Sequence, residues 1–346
     1  MPITFDAELL SAGGLTAVAA PPVIDITLSR PSALNALLPA TFHGLHHVLD
    51  RLSTHDAPLY LVLRASGRAF SAGGDVRSLR GEILAHAPRS AARRAAARAI
   101  LATEYDLLAR WAALDRHHRL TVAVGEGLAL GAGAGLFQAC AVRLVGPRFF
   151  MAMPEARIGI IPDCGATRFY ARLPGCVGMY LALTGARVHA RDALALGLAD
   201  GAIKDGWQAD GLADGEFGPA RMLKGGEEEA LLGEKGEIAQ ASSDMRRGVD
   251  EVFSAAGVDE VLERLQAREG EWAKEALKAL NAGAPKAIRE TFRVMRMAYE
   301  SRGEGVREAM DRELEVESQL CAAPDFEEGV RAALVDKDGK PKWEPV

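Results

Sequence analysis

The stretch "PVIDITLSR", Pro22 to Arg30, alternates apolar and polar positions with the period of a half-buried strand, and the pattern stops at Pro31. "PATFHGLHHVLDRL", from Pro39, changes to helical periodicity. "PLYLVLRA" is a short apolar run bounded by Pro58 and Ser66, the mark of a buried strand, and "LTVAVGEG" and "CAVRLVG" repeat it. Between those two, "GAGAGLFQA" predicts a helix that starts after a glycine loop. Alternation of strands and helices through the first 200 or so residues predicts an α/β core. The pattern breaks near Gly201, where "KDGWQADGLADGEFGPARMLKGGEEE" has little periodicity and reads as a connector or insertion with local disorder. From Val249 the chain turns helical. "EWAKEALKALNAG" ends at Gly283 just before Pro285, a cap followed by a stop, and "PKAIRETFRVMRMAYESRG" and "VREAMDRELEVESQLCA" follow as amphipathic helices. The expected organisation is an α/β core over 1–205, a connector over 206–248 and a helical C-terminal region over 249–346.

Composition narrows the partners. A length of 346 residues, 49% apolar and 25% charged, suits one large domain or a core with an appendage. The net charge of −6 argues against nucleic acid or an anionic membrane as the main target. Arg89, Arg93, Arg94 and Arg98 cluster among alanines, which reads as one solvated helix face; the sharper alternative is a landing strip for an anionic ligand. The apolar run Gly127 to Val142 spans 16 residues with four glycines, short of a bilayer span. Cys140, Cys164, Cys176 and Cys321 show no paired spacing, so they are expected as reduced thiols, Cys164 as a small buried hydrophobe rather than a nucleophile. The N-terminus has neither the basic start nor the apolar core of a signal or transit peptide, and the expected location is the cytoplasm, or the mitochondrial matrix in a eukaryote. His46–His47 and His117–His118 lack ligand spacing and no Cys/His cluster suggests zinc, so no metal is expected.

Three glycine-dotted segments carry the candidate chemistry. "GRAFSAGGDVRSL" (67–79) and "EGLALGAGAGLF" (126–137) each lead from a strand into a helix, where backbone N–H groups lack partners. Two such turns facing each other would make an oxyanion hole; alternatively the glycines only permit tight turns. "MAMPEARIGIIPDCG" (151–165) sets Glu155 and Asp163 in an otherwise apolar stretch, where an acid is expensive unless paired or used.

These segments resemble the crotonase (enoyl-CoA hydratase/isomerase) superfamily. Phe70, Ala72, Gly73 and Asp75 match its "F-x-A-G-x-D"; Gly127, Gly131 and Gly133 match its glycine loop; Pro154, Glu155, Gly159 and Pro162 match "P-E-x-x-x-G-x-x-P"; and Arg30 to Leu37 match "R-P-x-x-x-N-A-L". "AMPE" followed by Ile158–Gly159 and Pro162–Asp163, the segment "LPGCVGMYLALTG", and the tail "DFEEGVRAALVDKDGKPKW" are similar to the 3-hydroxyisobutyryl-CoA hydrolase branch. The resemblance implies a crotonase-like spiral core of ββα units with a helical C-terminal region. It implies backbone N–H donors at Gly74 and Ala132 (where the family usually has glycine), catalytic carboxylates at Glu155 and Asp163, and Glu104 at the substrate pocket. Asp75 would anchor its loop, Trp343 would pack the tail, and Arg30, Arg68 and Arg77 are candidates to meet coenzyme A phosphates. The hydratases' second glutamate would fall at Gly135, and glycine cannot transfer protons; the acid pair has moved to Glu155 and Asp163, which favours hydrolysis. The expected activity is hydrolysis of a short 3-hydroxyacyl-CoA thioester, 3-hydroxyisobutyryl-CoA of valine catabolism first, with coenzyme A part of the substrate and no further cofactor. The rivals are an enoyl-CoA hydratase/isomerase using Glu155 alone and a non-catalytic acyl-CoA-binding protein. The superfamily often forms trimers, so a homo-oligomer is in view.

Overall fold

A computed structural model describes residues 3–53, 55–114, 118–204, 232, 236, 238–240 and 243–345. The connector expected over 206–248 lies largely outside these residues, as does His117. The chain forms two compact units: Met1–Gly74 with Asp106–Met151 and Val188–Gly236, and Asp75–Tyr105 with Ala152–Arg187 and Glu237–Val346.

The first unit holds the strands. They are β1 (Leu15–Ala20), β2 (Val23–Leu28), β3 (Leu59–Ala65), β4 (Ala69–Ser71), β5 (Arg119–Gly125), β6 (Leu128–Leu130), β7 (Val142–Val145), β8 (Phe150–Ala152), β9 (Val188–His189) and β10 (Gly201–Ala202). The longer strands form a six-stranded sheet in the order β1-β2-β3-β5-β7-β10. It is parallel apart from the β1–β2 pair, where Leu15 faces Leu28 and Ala20 faces Val23. Short strands make a second sheet, β4-β6-β8-β9. A repeat follows from this order. A long strand enters the large sheet, a short one enters the small sheet, and a helical turn comes next: β3–β4–Val76–Leu84, β5–β6–Ala132–Gln138, and β7–β8–Glu155–Ile158. The apolar runs become β3, β5 and β7 because strands covered on both faces need no polar alternation. Their side chains Val62, Val122, Val124 and Leu144 pack with Ile203 into one core cluster. Phe137 closes the glycine loop's helix onto the sheet, edge-on to Phe70 at 5.7 Å and tilted on Phe149 at 4.8 Å.

The second unit is helical. It holds the 22-residue helix Ala91–Ala112 as far as Tyr105, and helices Ala166–Ala171 and Val177–Thr184 pack against each other and against Pro285–Glu300. Helices Asp244–Phe253, Val258–Ala267, Glu271–Ala282, Pro285–Glu300, Val306–Ala322 and Pro324–Val330 complete it. Gly283 caps Glu271–Ala282 as expected, but in an extended conformation, and Pro285 then opens the next helix at its first position. The arginine cluster is not the expected solvated face throughout. Arg93 is 1% exposed and pairs with Glu327, Arg94 and Arg98 meet Glu315, and Arg89 meets Glu344. These partners also leave little free charge for an anionic ligand. Among the described residues, no helix is long and apolar enough to cross a membrane.

Candidate active site

The first unit brings the two glycine loops together. β4 and β6 run parallel, with Ala69 beside Leu128 and Ser71 beside Ala129. The turns leaving them are therefore neighbours. Gly73, at φ +93°, sits so close to the second loop that a β-carbon would lie 2.8 Å from the Leu130 carbonyl oxygen and 3.6 Å from the Ala132 nitrogen. Glycine is needed at that position for both reasons. The first loop is braced from behind. Asn35 is buried and donates from Nδ2 to the Ser66 and Ala69 carbonyls, each at 2.8 Å. The Ser71 hydroxyl donates to the Asn35 carbonyl at 2.8 Å and accepts the Gly73 amide at 3.1 Å. Asn35 is the motif asparagine of "RPSALNAL", and its φ of +54° suits a residue type tolerant of that region.

Gly74 lies at a parallel bridge with Leu37, whose amide donates to the Gly73 carbonyl at 2.8 Å. Ala132 is the first residue of its helix, where an N–H has no partner within the helix. Neither the Gly74 nor the Ala132 amide has an acceptor among the described residues. A β-carbon on Gly74 would meet nothing within 4 Å, so the space beside that amide is open. The alanine at 132 is easily accommodated. The unusual backbone conformation falls on Gly131 (φ +50°, ψ −128°), and Ala132 itself is not in the positive-φ region.

Inside the second unit the expected acids converge. Glu104, Glu155 and Asp163 are buried, at 9%, 7% and 7% exposure. Asp163 accepts the Tyr105 hydroxyl at 2.6 Å, and the Cys164 thiol lies 3.1 Å from Glu104 Oε1. Glu155 opens a short 3₁₀ turn, Glu155–Ile158, and its Oε2 has no hydrogen-bond partner among the described residues. Pairing of these acids with arginine does not occur at Arg168, which donates to the Glu304 carbonyl. The family-like tail holds the Glu155 turn: a β-carbon on Gly329 would lie 2.6 Å from Ile158 Cα, and one on Gly159 2.7 Å from the Asp325 carbonyl group. The Ala284 amide adds a bond to the Ala156 carbonyl at 2.8 Å.

Burial and like charge govern the protonation of this group. Burial, then the neighbouring Asp163 charge, pushes Glu104 up to about 8, against the opposing Cys164 thiol. Burial and Asp163 likewise raise Glu155 well above the usual carboxylate range. Asp163 is raised by burial too, while donation from Tyr105 and Cys164 favours its charged form. The Cys164 thiol is driven up by burial and by these acids, so it is held neutral as a hydrogen-bonding group and not as a thiolate nucleophile. Two further buried acids, Glu313 and Glu317, join from the helix Val306–Ala322. The sequence reading passed over them and Tyr105. A signal for the glutamates was present: at positions 313 and 317 they interrupt the apolar stripe of buried Met310, Leu314 and Leu320. Among the described residues, no group of His, Cys, Asp or Glu is arranged to hold a metal ion. Asp75 caps the helix Val76–Leu84 by accepting the Ser78 amide, the anchoring role expected for it. Trp343 is half-buried. His46 meets Arg110 and His47 accepts the Asp6 amide, both structural contacts.

Comparison with known proteins places the chain in a family. The family model described as enoyl-CoA hydratase/isomerase matches residues 23–346. A Danio rerio protein named 3-hydroxyisobutyryl-CoA hydrolase, mitochondrial, is 30% identical over 92% of this chain and 82% of its own length. An Arabidopsis thaliana protein named 3-hydroxyisobutyryl-CoA hydrolase 1 is 32% identical over 92% of this chain and 84% of its own. Among solved structures, an enoyl-CoA hydratase from Rhodobacter sphaeroides 2.4.1 superposes with a TM-score of 0.83 at 31% identity, covering 96% of this chain and 92% of that one. On the matched model and these relatives together, the chain belongs to the enoyl-CoA hydratase/isomerase family.

Proposed function

We propose that this protein is a thioester hydrolase that converts 3-hydroxyisobutyryl-CoA, or a closely related short 3-hydroxyacyl-CoA, into the free acid and coenzyme A. The observation that carries the reading is the buried pair Glu155 and Asp163 in a chain that has glycine at 135, where hydration would need a second glutamate. The names of the relatives support it. In this reading the amides of Gly74 and Ala132 donate to the thioester carbonyl oxygen and stabilise the charge that develops there, each worth ~2.7–4 kcal/mol of barrier. Glu155 either attacks the carbonyl carbon or takes a proton from the attacking water. In the first case a mixed anhydride forms, coenzyme A leaves as the thiol(ate), and water then cleaves the anhydride. In the second, the tetrahedral intermediate expels coenzyme A directly. Asp163 orients Glu155 or the substrate hydroxyl and assists proton transfer, and Glu104 contacts the acyl group. Coenzyme A is part of the substrate, and the chemistry calls for no metal or redox cofactor. The place of action is the cytoplasm, or the matrix in a eukaryote.

The experiment is release of free thiol from 3-hydroxyisobutyryl-CoA, run beside crotonyl-CoA. Thiol release from the hydroxyacyl thioester, with the enoyl absorbance of crotonyl-CoA unchanged, is the expected result. Loss of that absorbance without thiol release would instead mark a hydratase, the activity named for the Rhodobacter structure. Tight binding with neither change would mark a non-catalytic acyl-CoA-binding protein.

A further inference from the structure

The helix Val306–Ala322 carries two fully buried glutamates for which the proposed chemistry has no step. Glu313 and Glu317 stand four residues apart, on one face of the helix. Glu317 Oε2 accepts the Ile161 amide at 3.2 Å. Glu313 Oε2 accepts the Gly165 amide at 2.7 Å, and its Oε1 accepts the Thr167 amide at 2.8 Å and the Thr167 hydroxyl at 2.6 Å. Asp163 lies midway between the two gripped amides, Ile161 and Gly165. The segment between them would not hold this shape unaided. Pro162 offers no N–H, and Cys164 and Gly165 are both left-handed, at φ +56° and +86°. A side-chain-bearing residue in that region persists only where its surroundings fix it.

We propose that Glu313 and Glu317 are positioning residues, a carboxylate clamp on one helix face that grips both ends of segment 161–167 and fixes where the Asp163 carboxyl stands against Tyr105. The inference rests on the hydrolase reading only for the role of Asp163. Donor counting separates the two glutamates. Backbone amides reach both oxygens of Glu313, which a carboxyl accepts in either charge state; glutamine would turn an NH₂ toward one of these donors. Glu317 accepts a single segment amide, which a glutamine oxygen can also take.

The test compares full-length Glu313→Gln, Glu317→Leu, Glu317→Gln and Thr167→Val with the parent, by two readouts. The first is kcat and KM for coenzyme A release. The second is native-state alkylation of Cys164, read by mass spectrometry against buried Cys140 as the internal reference. Glu313→Gln and Glu317→Leu are expected to lower kcat about tenfold or more with KM within about threefold, the signature of a displaced group rather than lost binding. Both should speed Cys164 alkylation relative to Cys140. Glu317→Gln is expected to rescue both readouts relative to Glu317→Leu, whereas Glu313→Gln cannot. Thr167→Val removes one bond to Glu313 at nearly constant volume and should shift both readouts the same way by less, which keeps the test open if a harsher variant fails to fold. Folded variants with parental kcat and parental Cys164 protection would overturn the clamp. A parent that releases no coenzyme A from any thioester would instead overturn the hydrolase reading, and the alkylation series would still decide the clamp.

Discussion

Glu155 keeps one carboxylate oxygen without a partner in a buried setting, and burial with the nearby Asp163 charge holds its proton on. An unpaired buried acid costs stability, and such groups cluster at functional sites. As nucleophile or base it must be ionised, so kcat/KM should rise with pH up to a limb set by Glu155. Tyr105 tunes that limb through Asp163. Its hydroxyl favours the charged form of Asp163, and that charge in turn raises Glu155. Tyr105→Phe should let Asp163 keep its proton to higher pH, weaken the push on Glu155, and move the limb to lower pH. A limb that stays put or moves up in the variant's pH–rate profile would contradict the coupling. Glu155 and Asp163 stand out in the sequence because both sit in one short stretch, 151–165, whereas Glu104 comes only from the resemblance. Tyr105 and Glu313 do not stand out, because their partners lie 58 and 146 residues away along the chain. Only the fold brings them into contact.

Ala132 opens its helix, and a first helical position tolerates proline, since its N–H is unpaired there anyway. Ala132→Pro should therefore remove one oxyanion donor while keeping the helix, costing about 10²–10³ in kcat with little change in melting temperature. Ala132→Gly, which keeps the donor, should stay near parental; equal activity in both variants would remove this amide from the mechanism. Packing offers a second check. A β-carbon on Gly178 would lie 2.0 Å from the Tyr170 carbonyl oxygen, backbone that cannot swing aside. Gly178→Ala should separate the helices Ala166–Ala171 and Val177–Thr184 and cost about 1–3 kcal/mol by chemical denaturation. The long strands and C-terminal helices were readable because their periods extend over enough positions. β4, β6 and β8 have only three residues each, too few for a period to register, so their segments read as glycine-rich turns. Periodicity hides the ββα repeat for the same reason, and only the resemblance implied it. The glycine loops follow those short strands, so motif matches pick them out where periodicity cannot.

For the molecule as a whole, the buried acids set how stability responds to pH. Glu313 is raised from 4.5 to about 7 and Glu104 from 4.5 to about 8. A group whose folded pKa lies above its unfolded value binds protons more tightly in the folded state. Its contribution is complete below the unfolded value and is lost as pH rises through the folded one. These two acids should make the protein lose stability from about pH 4.5 to 8, and Glu104→Gln should flatten that slope in melting curves taken across the range. A melting temperature that climbs steadily over this window, with the same slope in the variant, would mean that these acids are ionised throughout. The class of chemistry was legible in the sequence because the acid at 163 and the glycine at 135 are single-residue differences within recognisable motifs. Protonation states were not, because they depend on burial and on acids gathered from distant segments. The most direct test of the account is coenzyme A release from 3-hydroxyisobutyryl-CoA by the parent and by Glu155→Gln, with folding checked by circular dichroism. The parent should release one thiol per free acid formed, and the variant should lose about 10²–10⁴ of kcat with its fold intact. Equal release by the two proteins would contradict the central claim.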